Sequence, residues 1–134
     1  MTLEELQEKL TEINQLVANL QTSVAFEKYY ADNIVMIEGD GTVTTGKDAC
    51  RQGREFFFEE MLIEFRESKL ISQNIAVAAE KEYDFVVVSN WYNDFTFKLD
   101  GQVIDNKSHQ LSIGFWKDGL VVRESYNYPV ISIV

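Results

Sequence analysis

The chain has 134 residues, of which 46% are hydrophobic and 13% aromatic, and its formal net charge is −10. A chain of this length and composition is typical of a single globular domain, here 1–134, that buries a core without a metal or a disulfide. The negative charge argues against nucleic acid and anionic membranes as partners. One cysteine and one histidine argue against the usual zinc and iron–sulfur ligand sets, so we predict no metal and no cofactor.

The N-terminal residues show no basic segment followed by an apolar run, and no stretch reaches membrane-spanning length. We therefore expect a cytoplasmic protein.

The first predicted element is a long helix. Thr2 and Glu5 form a capping-box pattern, in which the hydroxyl accepts from a backbone amide and the carboxylate reaches back. Apolar residues then recur at three- and four-residue steps and predict a helix with one apolar stripe that covers another part of the fold: Leu3, Leu6, Leu10, Ile13, Val17 and Leu20.

A second, short helix is predicted over residues 23–30, ended by Asp32 and Asn33, whose side chains favour turns. A short buried strand follows at 34–37 and ends at Glu38, before a Gly-rich loop. The segment from Thr45 to Met61 has the apolar spacing of a third helix.

Long alternating strands make up the second half of the chain. They are predicted over about 64–79, 85–97, 109–116 and 120–128, with Asp-Gly hairpin turns at 100–101 and 118–119. Helices followed by an antiparallel meander predict an α+β domain, with a curved antiparallel sheet wrapped around three helices. Because such a sheet twists, we expect it to leave an internal pocket at its wider end.

The strand over 85–97 is apolar on both faces. A sheet covered on one side would show polar residues on the other, so two apolar faces predict a second cover, most simply another subunit. The two sets are Val86, Val88 and Tyr92 against Phe85, Val87 and Trp91.

Two motifs in this order, YYADNIVMIEGDGTVTTGKDACRQ and SIGFWKDGLVVRESYNY, resemble those of the SnoaL-like branch of the nuclear transport factor 2-like superfamily. The resemblance covers Leu3 to Tyr128. It implies a cone-shaped α+β barrel with a pocket for a small hydrophobic molecule, and a homodimer packed through the sheet. Members include ketosteroid isomerase, limonene epoxide hydrolase and polyketide cyclases, so the fold does not decide the function.

The resemblance implies that Glu38 is a catalytic base, because it falls where isomerase-like members carry a carboxylate at the end of the first strand. A carboxylate at the rim of an apolar cavity suits proton abstraction beside a carbonyl. The partners of the isomerase mechanism are missing, however. The first helix has no tyrosine, and Leu111 stands near the position of the family's protonated aspartate. The Asp-Arg-Asp set of the epoxide hydrolase cannot be placed either.

The other candidate site residues follow from the strand pattern. His109, the single histidine, is a candidate partner of Glu38 in acid–base catalysis if its strand face is concave, and a strand-end surface residue otherwise. The candidate ligand-binding residues are Tyr30, Phe57, Trp91, Asn93, Leu111 and Phe115. Tyr126 and Tyr128 are candidates for the cavity or a dimer face, Cys50 for a buried helix position, and Arg123 and Glu124 for surface charges.

Two functions remain open at this point. One is an isomerase-, cyclase- or hydrolase-type enzyme that uses Glu38 as general base on a small hydrophobic molecule. The other is a non-catalytic ligand-binding or dimerisation module.

Overall fold

The computed structural model describes residues 1–127 as helices packed on one face of a six-stranded sheet. The helices are α1 (Leu3–Ala18), α2 (Thr22–Tyr29) and α3 (Lys47–Phe56), and α3 continues into a π-helical turn at Phe57–Met61. The strands are β1 (Tyr30–Ile37), β2 (Val43–Thr45), β3 (Leu62–Val77), β4 (Phe85–Leu99), β5 (Gln102–Lys117) and β6 (Leu120–Asn127). This is the predicted α+β arrangement. Tyr128 lies outside the described residues.

The sheet is curved and unclosed, with the strand order β2-β1-β6-β5-β4-β3. Strands β3 to β6 form the predicted antiparallel meander, but β1 pairs with β6 in parallel. The expectation of a wholly antiparallel sheet was therefore wrong, and the sheet is mixed. Hairpin signals report only on strands that are neighbours in sequence, whereas β1 and β6 meet through a long crossover that includes α3.

Local sequence signals form the elements as predicted at both ends of the fold. The Thr2 hydroxyl accepts from the Glu5 amide at 3.2 Å, and the Thr2 amide donates to the Glu5 carboxylate at 2.9 Å. At the β4–β5 and β5–β6 hairpins both central residues have positive φ, which is the type I′ turn that Asp-Gly favours: Asp100 (50°), Gly101 (78°), Asp118 (52°) and Gly119 (82°).

The predicted break after the second helix comes earlier than expected. Helix α2 ends at Tyr29, and Tyr30 already belongs to β1. Asp32 and Asn33 are exposed inside β1, at an irregularity in its pairing with β6 between Tyr30 and Val35. Their turn preference produces a distorted strand instead of a helix end.

The core lies between the helices and the concave face of the sheet. Leu6 on α1, Ile34 on β1, Trp116 on β5 and Val121 on β6 are its most completely buried large side chains. Cys50 on α3 is also buried, as predicted. No helix among residues 1–127 is long and apolar enough to cross a membrane.

Candidate functional site

A cavity of about 110 Å³ lies between helices α1 and α2 and the concave face of the sheet. Its apolar wall comes from the core: Leu10, Ile13, Val17, Phe26, Val87, Trp91, Trp116 and Val121. More than half of the lining residues nevertheless have polar side chains, so the cavity is less apolar than the sequence predicted. The polar groups fall into two sets, one around Glu124 and one of neutral side chains.

Glu124 faces the cavity because β6 contains a bulge. Trp116 pairs with Val121 and Phe115 pairs with Arg123, so Val122 is an extra residue without a partner of its own on β5. Strict alternation from Val121 would turn Arg123 inward and Glu124 outward. The extra residue shifts the phase by one, and Glu124 therefore lies on the concave face.

Two tyrosine hydroxyls hold the Glu124 carboxyl group. The Tyr30 hydroxyl donates to its oxygens at 2.9 and 3.1 Å, and the Tyr126 hydroxyl donates to one of them. All three side chains are at most 9% exposed. Opposite Glu124 on β5 stands Gly114, and a Cβ there would lie 3.6 Å from Oε2, which is an ordinary van der Waals distance.

Burial raises the pKa of Glu124 above the ordinary value for a glutamate, and the charge of Glu38 acts in the same direction. The hydrogen bonds from Tyr126 and Tyr30 and the charge of Arg54 act in the opposite direction on this pKa. Burial also raises the pKa of both tyrosines well above the ordinary value, helped by the Glu124 charge. Both hydroxyls therefore stay protonated at neutral pH and act as donors.

Arg54 brings a positive charge to this end of the cavity from the last turn of α3. Its guanidinium carbon lies 5.6 Å from the centre of the Tyr126 ring, in a cation–π arrangement. Arg54 and Glu124 are the two lining residues with charged side chains in the described part of the chain.

The second polar set consists of neutral side chains on the concave faces of β3, β4 and β5 and on α1. Asn14 and Gln73 exchange two amide hydrogen bonds at 3.0 and 3.2 Å, and Gln73 also donates to Ser89 at 2.9 Å. In a second series of hydrogen bonds, Ser68 donates to Asn93 at 2.8 Å, and Asn93 donates to the Gln110 amide oxygen at 3.4 Å.

Glu38 follows β1 directly, as predicted, and is partly exposed. Its charge raises the pKa of both Cys50 and Glu124, so its carboxylate lies near this group of side chains. It is not among the residues that line the described cavity. Its role as a base stays a prediction.

Three of the predicted ligand-binding residues, Tyr30, Trp91 and Asn93, line the cavity. Their contact with a ligand stays a prediction. Phe57 does not line it. Its ring packs edge-on against Phe95, with centroids 5.6 Å apart, farther along the concave face.

His109, Leu111 and Phe115 lie on the outer face of the sheet, away from the cavity. The register pairs Trp91 with Gln110, so the face of β5 that continues the Trp91 face carries Gln110 and not His109. His109 is exposed, and its Nδ1 lies 3.2 Å from the Asn90 amide oxygen. Its placement gives no support to a partnership with Glu38, and Leu111 and Phe115 likewise do not line the cavity.

The buried role of Glu124 was missed, and its interpretation as a surface charge was wrong. The neighbouring Arg123 suggested a charged outer face, and the Val122 bulge leaves no signal in the alternation pattern. A usable signal existed in Tyr126, because a tyrosine two residues from a glutamate on one strand shares its face. Arg54 and Gln110 were also missed, because the side of an element that points into the cavity depends on contacts between distant elements.

Among residues 1–127 there is no group of three or more His, Cys, Asp or Glu side chains arranged to hold a metal ion.

Comparison with known proteins identifies the fold but no closely related protein. No protein-family model matches the chain. No curated protein sequence matches it. Solved structures do match over nearly the whole length. One is a Mesorhizobium loti protein provisionally described as a SnoaL-like polyketide cyclase, with 21% identity, a TM-score of 0.64, and coverage of 96% of this chain and 100% of that one.

Two further structures support the same fold. A nuclear transport factor 2-like protein of unknown function from Burkholderia xenovorans is 14% identical, with a TM-score of 0.63 over 98% of this chain and 88% of that one. A protein with a ketosteroid isomerase-like fold from Catenulispora acidiphila, solved in complex with trimethylamine, is 8% identical, with a TM-score of 0.64 over 92% of this chain and 86% of that one. The chain therefore has the nuclear transport factor 2-like fold, which it shares with SnoaL-like and ketosteroid isomerase-like proteins.

Proposed function

We propose that this protein is a SnoaL-like small-molecule enzyme of the isomerase, cyclase or hydrolase type, with Glu124 as its acid–base group. The observation that carries the proposal is a carboxyl group in the cavity wall, held by two tyrosine hydroxyls and desolvated enough to raise its pKa. A carboxyl group with a raised pKa is a stronger base when ionised and remains able to return the proton.

The neighbouring side chains fit this role. Tyr30 and Tyr126 fix the direction of the carboxyl group, so a bound molecule meets it in one orientation. Arg54 favours the ionised form, which can take a proton from a carbon or oxygen of the ligand. The protonated Glu124 can then return that proton to a different atom, which completes an isomerisation or a ring closure without a net change in the enzyme.

Glu38 is the competing base within the same proposal. Its carboxylate acts electrostatically on Glu124 but does not line the cavity. We assign it the secondary role of raising the pKa of Glu124. Substituting each glutamate in turn by glutamine distinguishes the acid–base group from the residue that raises its pKa.

The test is turnover of a panel of small apolar ketones, lactones and ring alcohols by the wild type and by Glu124→Gln, Glu38→Gln and Glu8→Gln. Positioned acid–base groups contribute about 10²- to 10⁴-fold to a rate, so Glu124→Gln is expected to lose at least 100-fold in kcat. Glu38→Gln is expected to move the pH profile while retaining most of the rate. Glu8 is exposed on α1 and serves as the control. Full turnover by Glu124→Gln would exclude it as the acid–base group, and loss in Glu38→Gln alone would return the role to Glu38.

A non-catalytic binding module is the second candidate, favoured by the fact that both tyrosine hydroxyls already donate to Glu124. A buried carboxyl group satisfied in this way can be a structural element. Binding of panel members without turnover by the wild type would support this function.

We also propose a homodimer that packs through the outer face of the sheet. Val86 and Val88 on β4 and Ile113 on β5 are only partly buried in the single chain and form one apolar surface across paired strands. Leu111 beside them is 44% exposed. A second subunit would cover this surface.

The cytoplasmic location also remains a prediction.

A further inference from the structure

The cavity has a second hydrogen-bonding end that the acid–base proposal does not use. Glu124 pairs with Gly114 on β5, and Gln110 lies four residues earlier on the same strand and the same face. At about 3.3 Å per residue this separates the two positions by about 13 Å along the sheet. Between these two positions the strands carry Ser112 on β5 and Ser89 on β4. The apolar wall over the cavity includes Ile13 and Val17 on α1 and Phe26 on α2.

The Gln110 end is neutral and has hydrogen-bonding capacity to spare. Gln110 uses its amide oxygen as an acceptor for Asn93, and no residue among 1–127 accepts from its amide nitrogen. Ser112, two residues along and also in the cavity wall, has no hydrogen-bond partner for its hydroxyl in the same described range. A lining with unused donors recognises a ligand oxygen, and its lack of charge means that this oxygen carries no full charge.

The size of the cavity limits the ligand. A cavity of about 150 Å³ holds one benzene molecule, and the volume here is about 110 Å³. Glu124 would repel an anionic ligand, and the chain as a whole has a net charge of −10. At the Glu124 end a ligand hydroxyl or carbonyl can exchange hydrogen bonds with the carboxyl group and the tyrosines.

We propose that the ligand is a neutral compound no larger than a single ring, with one oxygen at the Glu124 end and a second oxygen at the Gln110 end. This inference rests on the proposed function, because it takes Glu124 as one of the two ligand contacts. It goes further by naming the ligand class: small dihydroxy or hydroxycarbonyl ring compounds, to the exclusion of fused-ring compounds.

The experiment measures binding of five probes by calorimetry to the full-length protein: hydroquinone, phenol, toluene, benzoate and 2,6-dihydroxynaphthalene. One additional hydrogen bond is expected to contribute about 3- to 10-fold in affinity. Hydroquinone should therefore bind about 3- to 10-fold more tightly than phenol, and phenol more tightly than toluene. Benzoate and the two-ring diol should bind at least 10-fold more weakly than hydroquinone.

Gln110→Met tests the second end, because it removes the amide at nearly constant volume. It should abolish the advantage of hydroquinone over phenol and leave the affinity for phenol unchanged. The matched control is His109→Met, one residue away on the opposite face, which should change neither affinity.

The outcomes separate this inference from the proposed function. If the two-ring diol binds as tightly as hydroquinone, or if the advantage of hydroquinone survives in Gln110→Met, the inference is overturned. The proposed function then still stands provided that Glu124→Gln weakens the binding of phenol or of the diol. If no probe binds, the inference alone is overturned, and the turnover panel decides the proposed function. If probes bind and Glu124→Gln leaves all five affinities unchanged, both are overturned.

Discussion

Glu124 is a carboxyl group that the fold holds away from water while giving it two hydroxyl donors. Its pKa is raised in the folded protein, so the native state binds a proton more tightly than the unfolded chain. The stabilisation from this group is complete below the unfolded pKa of a glutamate and is lost as pH rises through the higher folded pKa.

We therefore expect the free energy of unfolding to fall as pH rises above the unfolded glutamate value, by at most about 1.4 kcal/mol per pH unit from this residue. Glu124→Gln should remove this fall. Urea unfolding across a pH series measures it, with Glu8→Gln as the control. Three other carboxylates have lowered pKa values: Glu12, Asp40 and Asp105. Their contributions to the free energy of unfolding therefore change only below the unfolded carboxyl pKa, outside the pH range in which Glu124 acts. An unchanged slope in Glu124→Gln would contradict the assignment.

Arg54 tunes the same group from α3. Its charge lowers the pKa of Glu124, against the effect of burial. Arg54→Met should raise the pKa of Glu124 further, as measured by carboxyl-carbon nuclear magnetic resonance.

The matched control for this charge is Arg51→Met, one turn earlier on α3. Arg51 forms ion pairs with Asp48 at 3.3 Å and Glu55 at 3.7 Å and does not line the cavity. Arg51→Met should therefore leave the pKa of Glu124 unchanged. An equal rise in both variants would point to a general loss of positive charge and against a local effect of Arg54.

At the scale of elements, the β5–β6 hairpin is tied to α1. The Lys9 ammonium group donates to the Gly119 carbonyl at 3.2 Å, and a Cβ at Gly119 would lie 3.3 Å from the same nitrogen. Gly119 also has a positive φ of 82°. Gly119→Ala therefore meets two obstacles, the left-handed backbone conformation and the Lys9 contact.

Gly101 in the β4–β5 hairpin provides the matched control, because it has φ 78° and no atom within 4 Å of a Cβ placed there. Gly101→Ala should cost about 1–2 kcal/mol for the left-handed conformation alone. Gly119→Ala should cost about 0.5–1.5 kcal/mol more, through the strained Lys9 hydrogen bond. Urea unfolding measures both. In a Lys9→Met background the difference should vanish, and its persistence would contradict this explanation.

Local signals predicted these elements well. The capping box at Thr2 and the two Asp-Gly turns each depend on residues within a few positions of one another, and the structure confirms them. The apolar stripe of α1 is confirmed in its middle, where Leu6, Leu10 and Ile13 are buried. At its ends Leu3 is 47% exposed and Leu20 follows the end of the helix. Helix α2 ends one residue earlier than predicted, and β1 begins at Tyr30, four residues earlier than predicted, because the strand pairing of Tyr30 overrides the turn preference of Asp32.

The site was less predictable because it depends on register. The sequence shows that His109 and Gln110 face opposite sides but not which side is concave, and only the pairing of Trp91 with Gln110 decides it. Trp91, Asn93 and Tyr30 line the cavity, and their contact with a ligand stays a prediction. Glu124 was misplaced because a bulge changes the phase of β6 without changing its composition.

At the scale of the whole molecule, one layer of helices covers one face of the sheet, and the outer face is not covered by any element among residues 1–127. Its end around Val88 and Ile113 is apolar, whereas the other end carries Arg66, which forms ion pairs with Asp94 at 2.8 Å and Asp105 at 2.5 Å. The proposed dimer would bury the apolar end.

We expect the wild type to sediment as a dimer at micromolar concentration and Val88→Asp to sediment as a monomer, because an unpaired charge is costly to bury. The control is Val24→Asp on α2, where the side chain is 50% exposed on the helical layer. It should remain a dimer. A monomeric wild type would contradict the proposal, as would dissociation of both variants.

The extra residue at Val122 has a consequence for any alignment of this chain with other proteins of the same fold. A relative whose last strand runs without the bulge must be aligned with a one-residue gap at Val122. Without that gap, the residues before the bulge are matched to positions on the opposite face of the strand. If Glu124 is aligned correctly, Val121 is then aligned with an outward-facing residue. If Val121 is aligned correctly, Glu124 is aligned with an outward-facing residue and taken for a surface position. The presence of an inward carboxyl group in other chains of this fold has to be judged from superposed strands, position by position.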